Sequence, residues 1–122
     1  MARAANIMQG GFSAGNAKSI NGSVATALTA AGTTIGTALD LVADTNVIGT
    51  SASGAGVQLP ATEIGDSVEV YNGGANACTV YPDTSTSQIN GLTAGNGFLL
   101  AINTSCYCRK ITSTRWIAFL SA

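Results

Sequence analysis

Short apolar runs closed by turns fill the chain from about residue 24 onward. Val24, Thr26 and Leu28 alternate with Ala25, Ala27 and Thr29, and after Ala31-Gly32 a second apolar run extends from Ile35 to Val42, ended by Asp44 to Asn46. A helix could accommodate the Ala-rich stretch 24–43. Thr and Gly recur throughout it, however, and both are poor helix formers, so strands are expected. Gly56-Val57-Gln58-Leu59 stops at Pro60, which cannot donate to a sheet ladder and suits a strand end. Val68 and Val70 point one way and Glu69 and Tyr71 the other, as in a half-buried antiparallel strand. Asn72-Gly73-Gly74 then offers residues suited to a tight reversal, and Cys78 and Val80 continue the buried face up to Tyr81-Pro82, so these two runs are predicted to form a hairpin. Asn90-Gly91 marks another turn, and Gly95-Asn96-Gly97 leads into Phe98 to Ile102. A last hairpin is expected from Cys106 to Ile111 and Trp116 to Leu120, joined by Thr112-Ser113-Thr114. About eight strands at this spacing point to an all-β domain, a jelly-roll-like β-sandwich first and a small β-barrel second. No internal repeat of fixed period stands out.

The first residues follow neither period. Gly10, Gly11, Gly15 and Gly22 are scattered among Ala, Ser and Asn, with isolated Ile7, Met8, Phe12 and Ile20. Residues 1–23 are therefore expected to form an extended arm ahead of a β-domain at 24–122, its apolar residues acting as separate anchors on a partner; a frayed terminus is the plainer alternative. Charge divides the same way. Residues 1–39 carry Arg3 and Lys18 and no acid, whereas residues 40–122 carry six acids against Arg109, Lys110 and Arg115, which is +2 against −3.

With 122 residues the chain suffices for one domain. Only 9% of its residues are charged, against about 25% in ordinary globular proteins, and the net charge is −1. Such a neutral surface protects a small monomer poorly against association, so much of it is expected to face other subunits. Disorder is disfavoured by 46% hydrophobic residues. The N-terminus has no sustained apolar segment of the signal-peptide kind, and the best candidate span, Val24 to Ala43, is interrupted by Thr, Gly and Asp40. A soluble protein made in the cytoplasm, complete from Met1, is expected.

Candidate chemistry is sparse. The chain has no histidine, which removes the commonest general base and metal ligand and any Ser-His-Asp or Cys-His pair. Glu63 with Asp66 and Asp40 with Asp44 could pair in principle as glycosidases use two carboxylates, but both pairs sit beside turns, where solvated acids are common. Gly49 to Gly54 is followed by Ala55 and not by the lysine of a phosphate-binding loop. Five Lys and Arg make no basic stripe for nucleic acid. Cys106 and Cys108 share a strand face and, with Cys78, could offer three thiolates to a metal, yet no suitable fourth ligand is present. Three reduced, buried thiols are the expectation, and a disulfide is the alternative. Thus no enzyme, cofactor, metal, membrane or small-molecule substrate is expected. Tyr71 and Tyr81, on the outward phase of their strands, and Tyr107, which alternates with the two cysteines, are expected to contact a subunit or, failing that, a sugar ring, and Trp116 to anchor the core or a subunit seam.

The order of motifs resembles a small all-β module of tailed-phage virion proteins over about residues 33–122. In that module a G-V-x-L-P strand precedes a G-D-x-V-x-V-x-N strand, a V-Y-P segment, an I-N-G-L turn and a closing strand with Trp. The corresponding positions are Gly56, Val57, Leu59 and Pro60; Gly65, Asp66, Val68, Val70 and Asn72; Val80, Tyr81 and Pro82; Ile89 to Leu92; and Trp116. The Cys106-Tyr107-Cys108 run departs from the pattern, where ordinary apolar or Ser/Thr residues would stand. The resemblance implies a structural virion protein, made in the bacterial host and carried on the capsid surface. The expected role is a decoration, or cement, protein: a homotrimer that clamps the major capsid protein from outside through Arg3, Ile7, Met8, Phe12, Lys18, Tyr71 and Tyr81. The alternative is a tail- or head-fibre module that binds a host-surface glycan.

Overall fold

A computed structural model describes residues 22–121. Among them there are ten strands and no helix: β1 (Val24–Thr29), β2 (Leu39–Asp40), β3 (Thr45–Thr50), β4 (Gly56–Gln58), β5 (Ser67–Asn72), β6 (Cys78–Tyr81), β7 (Gln88–Ile89), β8 (Phe98–Leu100), β9 (Thr104–Thr112) and β10 (Arg115–Leu120). They form a six-stranded sheet in the order β1-β3-β5-β9-β10-β7 and a four-stranded sheet in the order β2-β4-β6-β8. From β1 to β6 the chain alternates between the two sheets, and each strand lies parallel to the previous one in its own sheet. This is a solenoid-like winding. The remaining strands close it: β8 runs antiparallel to β6, β9 antiparallel to β5, β10 antiparallel to β9, and the short β7 lies parallel to β10 at the edge.

The coils are unequal, which explains why no fixed repeat is visible in the sequence. In the six-stranded sheet Val24 pairs with Thr45, 21 positions on, and Thr45 with Glu69, 24 positions on. In the four-stranded sheet the offsets are 18 from Leu39 to Val57 and 23 from Val57 to Val80.

The all-β class is as expected, but the pairing is mixed and solenoid-like and not that of a jelly-roll sandwich. The hairpin predicted between β5 and β6 does not exist. These strands belong to different sheets, and β5 pairs with β3 and β9 instead. A period of two fixes which side chains face inward, and it is the same whether the neighbouring strand is parallel or antiparallel. Asn72-Gly73-Gly74 is a corner between sheets. The Asn72 amide donates to the carbonyls of Asn76 (2.9 Å) and Leu100 (3.0 Å), and its Oδ1 accepts from the Gly74 N–H (3.0 Å). A Cβ on Gly74 would lie 2.6 Å from the Ser51 nitrogen, so only glycine lets the two corners approach.

Two other expectations change in detail. The run 35–42 is mostly turn, with only Leu39–Asp40 in a strand. In β1 the expected phase breaks at a bulge, where Ala27 takes φ 56° and the register with β3 shifts, so that Ala25 and Leu28 are the half-buried positions. The last hairpin, β9 with β10, forms as predicted.

The core lies between the sheets. Ile48, Val68, Val70, Cys106, Cys108 and Trp116 come from the six-stranded side, and Val57, Cys78, Val80 and Leu100 from the other. Burying each large apolar side chain contributes about 1.5–3 kcal/mol. The same alternation turns the intervening residues outward, which gives each sheet an outer face of its own.

Candidate functional site

The outer face of the six-stranded sheet carries a cluster of apolar side chains. Alternation along β5 places Glu69 and Tyr71 outward, along β9 Ser105, Tyr107, Arg109 and Ile111, and along β10 Ile117 and Phe119. Strand register then aligns Thr45, Glu69, Tyr107 and Phe119 in one row across four strands. Within it, the Thr45 hydroxyl donates to Glu69 Oε1 (3.2 Å), and the Tyr107 and Phe119 rings sit 6.4 Å apart at a 43° tilt. Tyr71 lies in the next row beside Val47 and Ser105 and donates a long hydrogen bond of 3.4 Å to Asn103 Oδ1. A shallow groove of about 340 Å³ runs over these residues and is lined by Glu69, Tyr71, Ser105, Tyr107, Phe119 and Leu120 among others. Phe119 is 61% exposed and Leu120 51%, so the face presents apolar surface that a partner would remove from water.

The second tyrosine expected at an interface does not join this groove. Tyr81 is on β6, in the four-stranded sheet, and is only half-buried. Its ring lies over Gly56, where a Cβ would come within 2.6 Å of it, and its hydroxyl donates to the Thr33 carbonyl (3.0 Å). Tyr81 is thus used to hold the loop between β1 and β2. Arg3, Ile7, Met8, Phe12 and Lys18, the other expected contact residues, lie outside the described residues. Tyr107, expected with the other tyrosines to make contact, completes the groove together with Phe119, which is not among the residues expected at an interface. Their signal is present in the outward phase of the last hairpin.

A polar cluster lies at the edge of the core. Lys110 follows Cys106 and Cys108 on the inward phase of β9, so its ammonium needs a buried partner. Asp83 supplies one at 2.7 Å, with side-chain exposures of 10% for the lysine and 3% for the aspartate. Lys110 also donates to the Thr62 carbonyl (3.1 Å) and lies 5.9 Å from the centre of the Trp116 ring, while Trp116 Nε1 donates to Asp83 Oδ1 (3.0 Å). Burial pushes the Asp83 carboxyl up, but hydrogen bonds from Lys110, Trp116 and Ser87 and the Lys110 charge outweigh it and hold the group below the usual carboxylate value. With each group satisfied by the others, the cluster fixes the position of Trp116 in the core.

The three cysteines are free and buried. Cys106 and Cys108 share a face as expected, with sulfurs 3.8 Å apart, and Cys78 belongs to the opposite sheet. Burial pushes the Cys78 thiol up to about 11, and the Cys106 sulfur together with burial pushes the Cys108 thiol higher still. Among the described residues no group of three potential ligands is placed to hold a metal. Of the acid pairs, Asp66 serves a local turn, and Asp44 ties its turn to Ser23 at the start of the described chain. Asp66 Oδ2 accepts from the Glu63 N–H (3.1 Å), and Asp44 Oδ2 accepts from the Ser23 N–H (2.8 Å).

Comparison of the chain with family models, with curated proteins and with solved structures finds no match.

Proposed function

We propose that the protein is a structural component of a tailed-phage virion, a decoration protein that binds the outside of the head and stabilises contacts between major capsid subunits. The observation that carries this reading is the exposed aromatic face on a body with only 9% charged residues, since a neutral, apolar sheet surface of this kind favours association. The resemblance of the β-strand motifs to phage structural modules supplies the context. In this reading copies associate into a homo-oligomer, and the N-terminal residues Arg3, Ile7, Met8, Phe12 and Lys18 contact the head. Several weak contacts joined by one rigid body then give far greater avidity than any one of them. Cosedimentation of purified protein with heads that lack it tests the reading. The full chain should pellet with heads, and a chain without residues 1–20 should not, while keeping its β-sheet circular dichroism. A full chain that stays in the supernatant would remove the proposal.

A second reading is favoured by the groove itself. Tyr71, Tyr107 and Phe119 offer aromatic faces beside the Glu69 carboxylate, a combination that also suits a sugar ring, so the protein would serve as a tail- or head-fibre module binding a host-surface glycan. A glycan-array signal that disappears in Tyr71→Ala or Tyr107→Ala and survives in Tyr81→Ala would put this reading first.

A further inference from the structure

The outer face of the six-stranded sheet is charged in a self-complementary way. Ser67 pairs with Arg109 in one row and Glu69 with Tyr107 in the next, so Glu69 and Arg109 occupy diagonal corners of a four-residue square on β5 and β9. Diagonal cross-strand neighbours lie about 7–8 Å apart. Among the described residues the only ion pair is Lys110 with Asp83, so neither Glu69 nor Arg109 is paired. Among the described residues Arg109 donates no side-chain hydrogen bond, and the Glu69 carboxylate accepts only from Thr45. Arg115, by contrast, is occupied by Gln88 (2.6 Å) and the Asn90 carbonyl (3.4 Å).

We propose that this face pairs with the same face of a second copy of the chain, about a two-fold axis that lies in the contact plane along the Ser67–Tyr107 diagonal. Reflection of the register across that diagonal brings Glu69 of each copy over Arg109 of the other. With strands about 4.8 Å apart and alternate residues about 6.8 Å apart along them, it also sets the two Tyr107 rings against each other on the axis and brings Tyr71 beside Phe119 of the second copy, with Phe119 between Ser105 and Tyr71 of that copy. Thr45 falls over Ile117 of the second copy. Both free charges find opposite charges, and the exposed apolar side chains are covered, from a single symmetry operation. The contact rests on the assembly reading only in using the same surface, and it replaces the threefold association that the resemblance implies with a closed pair.

The test is sedimentation velocity of the full chain across a micromolar concentration range, with Glu69→Arg, Arg109→Glu and the double variant. The wild-type chain should sediment as a dimer. Each single variant places like charges across the axis and should weaken pairing by about tenfold or more. Mixing the two single variants should restore a dimer, because the charges at positions 69 and 109 of one copy are then opposite to those they face on the other. The double variant alone exchanges the two charges and should regain near wild-type affinity. Both substitutions are on the surface, and unchanged melting temperatures of the three variants would show that the fold is intact. A wild-type trimer would overturn the proposal. So would a monomer whose groove is covered by residues 1–21 of its own chain, or a dimer indifferent to both charge reversals. A dimer that fails to bind heads would leave the pairing in place and remove head decoration instead.

Discussion

Tyr71 and Tyr81 stand at equivalent outward positions of two sheets that share one core, and they are used in opposite ways. On the four-stranded sheet Tyr81 lies across Gly56 and bonds Thr33, so the ring is a strut between coils. On the six-stranded sheet Tyr71 lies beside Gly73 with a long bond to Asn103, Tyr107 and Phe119 pack on each other, and among the described residues all three keep a face toward solvent. An outward aromatic is therefore evidence of a binding surface only where its own chain has left it free. Among the described residues Tyr107 and Phe119 of the antiparallel hairpin β9–β10 provide most of the free surface, with Tyr71 of β5 beside them, whereas Tyr81 is consumed in packing on a neighbouring loop.

The strongest way to break the comparison is to disturb what both faces rest on. Asp83→Asn leaves the Lys110 ammonium without its buried counter-charge and should lower stability by about 3–5 kcal/mol in denaturant titration. The pH dependence follows from the same pair. The folded Asp83 carboxyl lies below its unfolded value of about 4, so its contribution is present above that pH and is lost as pH falls through the folded value. The variant should flatten the acid limb of the stability curve.

Smaller changes separate the faces. Gly56→Ala drives a Cβ against the Tyr81 ring and to 2.9 Å from the Thr79 carbonyl oxygen, and should cost about 1–3 kcal/mol. Tyr107→Ser, on the free face, should change monomer stability by no more than about 0.5 kcal/mol while abolishing association. Between the two hydroxyls the contrast is finer. Tyr81→Phe loses the bond to Thr33 and should cost about 0.5–1.5 kcal/mol, whereas Tyr71→Phe should be nearly silent by the same thermal melts.

A further effect is confined to alkaline pH. Because burial raises the Cys78 thiol to about 11, stability is full below the unfolded thiol value of about 8.5 and declines as pH rises toward the folded one. Cys78→Ala should make that limb shallower.

The sequence pattern made the faces of the strands legible and left their partners hidden. The inward positions Val68, Val70, Cys78 and Val80 were readable from alternation, and so was the last hairpin, whose connection is short. The pairing of β5 with β3 was not, because Thr45 and Glu69 are 24 positions apart and nothing in a period of two marks a parallel neighbour. Unequal coil lengths concealed the winding as well. For the site, the outward phase of Tyr71 and Tyr81 was visible, but the contact that distinguishes them, Tyr81 with Thr33, spans 48 positions and exists only in the folded chain. Lys110 carried an unread signal: a lone cation on the phase of Cys106 and Cys108 demands a buried acid, and Asp83 after Val80-Tyr81-Pro82 is the residue that meets it.

The proposed role on the head is tested most directly by the copy number of this protein in purified virions, measured by quantitative mass spectrometry against the major capsid protein. The account predicts a ratio near one, or a simple fraction of it, as for a protein spread across the head lattice. A few copies per particle would contradict it and place the aromatic face at a vertex or on the tail, where recognition of a host surface becomes the better explanation.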